Sequence, residues 1–206
     1  MPTEPKRPAR PLLPLLVAAA AAVLLACAGA LFISNRSAPA QVAQTASIGG
    51  PFTLVNGDGK TVRDTDFRGK FMLVYFGYTF CPDVCPTTLN DVSQAIDKLG
   101  AKADRLQPLF ITIDPARDTP PVMRQYTAAF TPRLEGLTGT PEQIATVAKE
   151  YRVYYAPHRT GPNPEDYLMD HSSILYVVGP DGQFRGIIRA DEDPETLARS
   201  LAKYVG

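Results

Sequence analysis

The nearly continuous apolar run FMLVYFGY, Phe71–Tyr78, limits the possible folds of this chain more than any other stretch. Such a run is typical of a strand that is buried on both faces of a sheet. Thr87–Leu99 follows with apolar residues at helical spacing, and Leu106–Ile113 is a second apolar run of strand length. A strand, a helix and a strand in this order predict a right-handed parallel unit.

The remaining patterns place further elements around this unit. A turn at residues 56–59 between two short apolar runs predicts a hairpin, and proline in the first turn marks two later helices. We predict those helices at Pro121–Phe130 and Pro141–Tyr151, a late hairpin at Ile174–Val178 and Phe184–Ile188, and a last helix at Glu195–Tyr204. This order predicts an α/β protein with a thioredoxin-like fold and an N-terminal β-hairpin, in which the active segment lies where the first central strand feeds the first helix.

The N-terminal region predicts a membrane anchor. Leu15–Ile33 contains no charge, and as a helix it would rise roughly 28 Å, close to the hydrocarbon thickness of a bilayer. Lys6, Arg7 and Arg10 precede this stretch, so the positive-inside rule keeps the N-terminus in the cytoplasm. We therefore predict one transmembrane helix in the inner (cytoplasmic) membrane, with the soluble domain in the periplasm.

The predicted organisation is a cytoplasmic tail at 1–14, the anchor at 15–33, a linker at 34–47 and the thioredoxin-like domain at 48–206. A cleaved signal peptide is the alternative for the apolar stretch, although it exceeds the usual signal length. Cys27 lies inside this stretch, either as a small apolar residue or as a lipidation site in the sequence LLAC. Each alternative for Cys27 leaves the domain tethered to the membrane.

Composition excludes some functions. Lys plus Arg and Asp plus Glu number 21 each, so the chain has no overall field that would attract nucleic acid, and we expect no nucleic-acid partner. Three cysteines are too few for a disulfide framework, and a chain of this length does not need one. Each cysteine must therefore be interpreted by its position.

Cys81 and Cys85 fall at the predicted junction of strand and helix. Pro86 suits the first position of a helix, which predicts Cys85 at the cap and a turn over residues 81–85. The positive end of the helix dipole favours thiolate over thiol. We therefore expect a lowered pKa and a reactive sulfur at both cysteines.

Three kinds of site fit this pair. A structural disulfide would close too small a loop to constrain the unfolded chain strongly. A redox couple suits an exported thioredoxin-like domain, but the spacing is C-x3-C where such enzymes have C-x2-C. A metal site would need a third ligand from elsewhere in the chain.

His171 can supply that ligand, because DHSS directly precedes the strand ILYVV, where this fold brings a loop against the active segment. Two thiolates and an imidazole suit copper, especially cuprous ion, and leave room for transfer to a partner. Zinc comes second, since it usually takes a fourth ligand. His158, in a loop rich in proline and glycine, is interpreted as a surface residue.

Four ordered motifs, GYTFCPDVCP, ITIDPARDTP, GLTGT and DHSSILYVVGPDG, resemble those of the Sco/SenC family of membrane-tethered, thioredoxin-like copper proteins involved in assembling cytochrome c oxidase. The resemblance implies that Cys81, Cys85 and His171 are the ligands of a copper ion, Cu(I) or Cu(II), with no departure at these positions. It also implies delivery of copper to the dinuclear site of cytochrome c oxidase subunit II, or reduction of that site's cysteines beforehand.

Three aspartates in these motifs are weaker candidates. Asp114 and Asp118 follow the second central strand, where they either support the site, steer a partner or cap a turn. Asp170 is expected to orient His171 by accepting its second ring proton. Tyr75, Phe76 and Tyr78 are interpreted as core residues.

The leading hypothesis is a copper metallochaperone that passes its ion to an exported oxidase subunit by ligand exchange. Oxidation of Cys81 and Cys85 to a redox-active disulfide would abolish binding. The alternatives are a thiol-disulfide oxidoreductase, a peroxidase related to peroxiredoxins, and a tethered interaction module. Other periplasmic copper chaperones or thiol reductants are expected as further partners.

Overall fold

The computed structural model describes residues 48–206. The predicted cytoplasmic tail, transmembrane anchor and linker, together with Cys27, lie outside these residues. Within the described range, no helix combines the length and the apolar character needed to cross a membrane.

Nine strands and four α-helices make up the described part of the chain. The strands are β1 (Thr53–Asn56), β2 (Thr61–Arg63), β3 (Phe71–Gly77), β4 (Leu106–Thr112), β5 (Glu135–Thr138), β6 (Tyr155–Arg159), β7 (Tyr167–His171), β8 (Ile174–Val178) and β9 (Phe184–Arg189). The helices are α1 (Val84–Leu99), α2 (Pro120–Thr127), α3 (Pro141–Glu150) and α4 (Pro194–Val205), with 3-10 helices at Asp64–Phe67 and Gly100–Arg105. Seven strands form one sheet in the order β2-β1-β5-β4-β3-β8-β9, and β6 and β7 form a second sheet.

Strand β3 lies near the middle of the large sheet, as its apolar sequence predicts. It pairs in parallel with β4 and antiparallel with β8, and every residue after Phe71 is buried. This confirms the predicted strand-helix-strand unit and the thioredoxin-like arrangement. The parallel register runs from Phe71 opposite Leu106 to Gly77 opposite Thr112, so the carboxyl ends of both strands meet at one edge.

The predicted helices begin where proline and capping residues place them. Thr140 accepts a hydrogen bond from the main-chain N–H of Gln143, and the Gln143 side chain accepts one from the N–H of Thr140, which closes a capping box at the start of α3. The second helix, predicted to reach Phe130, ends at Thr127. The next residues continue with turns, in which the N–H of Phe130 donates to the carbonyl of Thr127.

Two features of the fold were not predicted. Strand β5 is only four residues long, and it joins the sheet between β4 and β1. The hairpin β6–β7 covers a segment that we predicted as a loop, because its sequence contains Pro157 and many polar residues without an apolar alternation. It pairs Tyr155 with His171 and Arg159 with Tyr167. The histidine of the predicted site therefore lies at the end of a strand.

Candidate metal centre

The two cysteines lie at the carboxyl end of β3, as predicted, but their relation to the helix differs from the prediction. Helix α1 begins at Val84, so Cys85 lies in its first turn and Asp83 occupies the cap position. The side chain of Asp83 makes no capping hydrogen bond. Instead, Cys81 Sγ accepts a hydrogen bond from the main-chain N–H of Cys85 at 3.3 Å. The sulfur of Cys81 thus satisfies an N–H group that the helix itself leaves unpaired.

Glycine at position 77 makes room for the buried sulfur. A Cβ atom at this position would lie 2.8 Å from Cys85 Sγ and 2.7 Å from a ring carbon of Phe110. Both distances are too short for a carbon atom, so a larger residue would displace the thiol. Gly77 is therefore required by the close approach of the strand to the cysteine.

His171 comes from β7 to complete a cluster of three ligand atoms. The sulfurs of Cys81 and Cys85 and the imidazole of His171 lie within 4.8 Å of one another, and His171 Nε2 is 3.6 Å from Cys85 Sγ. Cys85 is fully buried, while Cys81 and His171 are partly exposed. The cluster therefore opens to solvent on one side.

The orientation of the imidazole leaves Nε2 directed at the sulfurs. His171 Nδ1 lies 3.1 Å from the main-chain oxygen of Ser172, and donation of the Nδ1 proton to this carbonyl leaves the Nε2 lone pair for a metal. Edge contacts with the rings of Tyr75 and Tyr78, 6.3 and 6.1 Å between centroids, hold the imidazole plane. We predicted that the Asp170 carboxylate would accept the second ring proton of His171. The Ser172 carbonyl has this role instead, and Asp170 is exposed.

The two thiols are not equivalent, contrary to the expectation that both would be reactive. The pKa of Cys81 is lowered, chiefly because the Cys85 thiol donates a hydrogen bond to it; main-chain N–H groups add to this effect and burial opposes it. The pKa of Cys85 is raised, because its proton is shared with Cys81 and because the side chain is buried. The two thiols are therefore unequal: the partly exposed Cys81 favours its thiolate form, and the buried Cys85 favours its thiol form.

Tyr75 has a contact that its apolar surroundings in the sequence did not indicate. The ring is buried, as predicted, but its hydroxyl lies 3.9 Å from Cys85 Sγ and 3.4 Å from Ser173 Oγ. Burial raises the pKa of Tyr75, and ionisation of Cys85 would raise it further. The hydroxyl therefore stays protonated and can donate to the buried sulfur.

Asp118 supports the segment that leads to the first cysteine. It is fully buried, and its carboxylate accepts hydrogen bonds from the N–H of Thr79 at 3.0 Å and from the hydroxyls of Thr79 and Thr112 at 2.5 and 2.6 Å. Burial raises the pKa of Asp118, although these hydrogen bonds oppose the effect. Its contacts are those of a supporting residue that joins the loop after β4 to the loop before Cys81.

Asp114 is also buried and holds two side chains that the sequence did not single out. It forms an ion pair with Arg117 and accepts a hydrogen bond from the Tyr167 hydroxyl at 2.9 Å. Tyr167 is the first residue of β7, the strand that carries His171. The only signal for Arg117 in the sequence is its position between two aspartates in DPARDT.

Apolar side chains surround the opening to the thiols. Phe80, Val84 and Leu168 are 57%, 47% and 36% exposed, and each belongs to a segment that carries a ligand. A cleft of about 300 Å³ reaches the site between Val84, Leu168 and Met169. Larger clefts of the described residues, of about 350, 360 and 420 Å³, are lined by no cysteine or histidine.

This donor set suits a soft, thiophilic ion. Two thiolates and one imidazole match the ligands that cuprous ion prefers, whereas zinc usually takes four. Within residues 48–206, no further histidine, cysteine or carboxylate joins the cluster. The fold and site together define a thioredoxin-like domain with a three-ligand Cys2His centre at an exposed sheet edge.

Comparison with known proteins agrees with this class. Residues 40–206 match the family model described as SCO1/SenC, and the chain belongs to this family. It is 43% identical over 159 residues to the protein sco1 of Schizosaccharomyces pombe, and the match covers 76% of this chain and 60% of that protein. It is 43% identical over 161 residues to the protein SenC of Rhodobacter capsulatus, and the match covers 78% of this chain and 72% of that protein.

A further relative is the mitochondrial SCO1 homolog of Homo sapiens, 43% identical over 162 residues, with 77% of this chain and 53% of that protein covered. The chain thus spans 60% and 53% of the length of the two eukaryotic relatives. The structure of Bradyrhizobium japonicum ScoI with copper bound is 44% identical, with a TM-score of 0.71 and coverage of 77% of this chain and 99% of that one. The crystal structure of yeast Sco1 with copper bound is 39% identical in sequence, with a TM-score of 0.70, and the match covers 77% of this chain and 88% of that one.

Proposed function

We propose that this chain is a copper metallochaperone that binds one copper ion through Cys81, Cys85 and His171. The observation that carries the proposal is the cluster itself, in which three soft or borderline ligand atoms lie within 4.8 Å of one another at a partly exposed edge. Copper in the structures of ScoI and yeast Sco1, at 44% and 39% identity, supports the choice of ion.

The inequivalence of the thiols suggests an order of events. Cys81 is partly exposed and has the lowered pKa, so it offers the first bond to an incoming ion. Cys85 then releases its proton and becomes the second ligand, and His171 Nε2 becomes the third. Release also begins at Cys81, because thiolates of an acceptor can displace this partly exposed ligand before they reach the buried Cys85.

We propose the dinuclear copper site of cytochrome c oxidase subunit II as the acceptor, which the family resemblance implies. The proposal includes a single membrane-spanning helix at 15–33, a linker at 34–47 and a domain that works in the periplasm. The apolar side chains around the opening support contact with a protein acceptor, since exposed apolar groups of this kind mark interaction sites.

A thiol-disulfide oxidoreductase is the second candidate, and one observation favours it. An exposed thiolate beside a buried thiol is the arrangement in which one sulfur attacks a target disulfide and the other resolves the mixed disulfide. In this function Cys81 and Cys85 would reduce a disulfide of the acceptor to two thiols and would themselves be oxidised to a disulfide, and His171 would not be needed as a ligand.

Copper titration of the full-length chain in detergent, under reducing conditions, tests the ligand set. Cys81→Ser and Cys85→Ser should abolish tight binding, and His171→Ala should weaken it strongly. His158→Ala is the matched control, because His158 is exposed on β6 and belongs to no ligand cluster. Unchanged affinity in the three ligand variants would contradict the proposal.

A deletion strain separates delivery from reduction. Loss of oxidase activity that added copper restores supports delivery, because excess metal bypasses the chaperone. Full complementation of the strain by the His171→Ala variant would favour the oxidoreductase, which needs only the two thiols.

A further inference from the structure

We propose that Arg117 is a positioning residue for this centre, which holds the His171-bearing hairpin β6–β7 against the cysteine segment. The inference rests on the proposed copper-binding function. Arg117 has no contact with the three ligands in the described structure. It lies between two segments that each carry a ligand, and it binds side chains of both.

On the hairpin side, Arg117 holds Tyr167 at three points. Its Nη1 donates a hydrogen bond to the Tyr167 carbonyl at 3.1 Å, and its guanidinium carbon lies 3.7 Å from the centre of the Tyr167 ring. The third contact is made by its ion-pair partner Asp114, which accepts a hydrogen bond from the Tyr167 hydroxyl at 2.9 Å. The first residue of β7 is therefore fixed through its main chain, its ring and its hydroxyl.

On the cysteine side, the same guanidinium contacts two aromatic rings. Its central carbon lies 4.8 Å from the ring centre of Phe80 and 5.9 Å from that of Tyr78. Phe80 directly precedes Cys81, and the ring of Tyr78 contacts the imidazole of His171 edge-on. One planar cation thus joins the loop before Cys81 to the strand that ends at His171.

The topology of the molecule explains why such a connection is needed. Hairpin β6–β7 forms a separate two-stranded sheet, with no strand pairing to the large sheet that positions the cysteines. The position of His171 relative to the sulfurs therefore depends on side-chain contacts together with the short link to Ile174, the first residue of β8 in the large sheet. Arg117 provides several of these side-chain contacts. They are made to Tyr167, which lies four residues before His171 in strand β7.

The energetic cost of Arg117 argues against a role in stability alone. The side chains of Arg117 and Asp114 are only 11% and 5% exposed, and the buried Nη2 of Arg117 has no hydrogen-bond partner within the described residues. Buried ion pairs are often no more stabilising than apolar residues of similar size, and an unpaired buried N–H is costly. A planar, fivefold donor is suited to fixing the orientation of its neighbours.

The test measures the Cu(I) dissociation constant of the full-length chain by competition with a chelator. Arg117→Met should weaken binding by about 10- to 100-fold, the usual effect of losing a group that orients a metal ligand. Arg117→Lys should recover little of the loss, because an ammonium group cannot hold Tyr167 and the two rings together. If Arg117 acts through His171, adding Arg117→Met to His171→Ala should change the affinity by less than about twofold.

Arg105→Met is the matched control. Arg105 lies over the ring of Phe71 at 5.9 Å and donates to the carbonyl of Val205 at 2.9 Å, at the opposite end of β3. This variant should lose some stability and no copper affinity. Tyr167→Phe keeps the ring and removes only the hydroxyl, so it is a milder variant to use should Arg117→Met fail to fold. It should raise the Cu(I) dissociation constant by several-fold, which is less than the increase expected for His171→Ala.

Equal affinities of the wild type and folded Arg117→Met would overturn the inference, as would full additivity of Arg117→Met with His171→Ala. If Arg117→Met fails to fold, equal affinities of the wild type and Tyr167→Phe overturn it. Each result differs from failure of the proposed function, in which the wild type itself would bind no copper or His171→Ala would have no effect.

Discussion

Two hairpins extend the thioredoxin-like core, and they are attached in different ways. Hairpin β1–β2 joins the large sheet through β1, which pairs with β5 at Val55–Thr138 and Asn56–Leu137, and Leu54 is fully buried. Hairpin β6–β7 pairs only with itself. Among its strand residues, all of which the structure describes, only Met169 is buried.

The difference separates stability from ligand placement. The first hairpin is held by main-chain hydrogen bonds and by the core, so its loss should affect the whole fold. The second is held by side chains around Arg117 and Asp114, so it can open locally at a smaller cost. His171, which must bind the ion and let it go again in the proposed function, therefore lies on the hairpin that is attached less firmly.

The largest expected effect is on stability, from Leu54→Ala in the first hairpin. Loss of a fully buried leucine should lower the free energy of unfolding by about 2–5 kcal/mol, through lost burial and the cavity that remains. The copper dissociation constant of the folded fraction should not change. Denaturant unfolding and chelator competition measure the two quantities.

Met169→Ala in the second hairpin is the counterpart of this variant. It should lose less global stability than Leu54→Ala and should weaken copper binding, since β7 carries His171. The comparison between the hairpins fails if Leu54→Ala reduces copper affinity as much as Met169→Ala does.

Hydrogen exchange should show the next largest effect. Amides of β6–β7 should exchange faster than those of β1 in the metal-free protein. Copper at about 100 times its dissociation constant should stabilise the closed hairpin by up to about 2.7 kcal/mol, and so slow its exchange by up to about 100-fold. Protection that rises equally in both hairpins would show that they do not open separately.

Two asparagines offer a smaller, matched comparison. In the first hairpin, Asn56 Oδ1 accepts the N–H groups of Asp58 and Lys60, and its amide donates to Glu135. Asn56→Ala should cost about 1 kcal/mol of global stability. In the connection between β6 and β7, the side-chain amide of Asn163 donates to Asp166. Asn163→Ala should cost less than about 0.5 kcal/mol of global stability. Equal losses in thermal unfolding would contradict the comparison.

The smallest effect is a pH dependence in the second hairpin. Burial, and then the neighbouring Asp114, raise the pKa of Tyr167 from 10.0 to about 12. A raised tyrosine pKa contributes stability that is present below pH 10 and is lost as the pH rises through 12. The stability difference between the wild type and Tyr167→Phe should therefore shrink between pH 10 and 12, and a constant difference would contradict this assignment.

Local patterns predicted the central unit of the fold and the late hairpin. The apolar run at 71–78, helical spacing after Pro86 and proline at helix starts are short-range signals, and the structure confirms the elements that they indicated. Strand β5 and hairpin β6–β7 were missed because they are short or polar. Their strands are held by pairing with distant residues, which leaves no periodic mark in the sequence.

The candidate ligands were identified from residue type and position, copper followed from the chemistry of two thiolates and an imidazole, and the family resemblance implied the same ligands and the same ion. The sequence did not indicate the state of the thiols. Both cysteines precede or open the same helix, but burial of Cys85 and its hydrogen bond to Cys81 lower the pKa of Cys81 and raise that of Cys85. The sequence also did not indicate the roles of Arg117, Tyr167 and the Ser172 carbonyl, because these roles depend on contacts between segments that fold together.

The sequence by itself determined which residues could bind a soft metal and where a strand would present two of them. The tertiary structure alone decided that His171 lies 3.6 Å from a sulfur 86 residues earlier, which of the two thiols has the lowered pKa, and which side chains hold the hairpin. The physical reason is range: secondary structure follows from neighbours along the chain, whereas distances between ligands and the burial of charges follow from contacts between segments that only folding brings together.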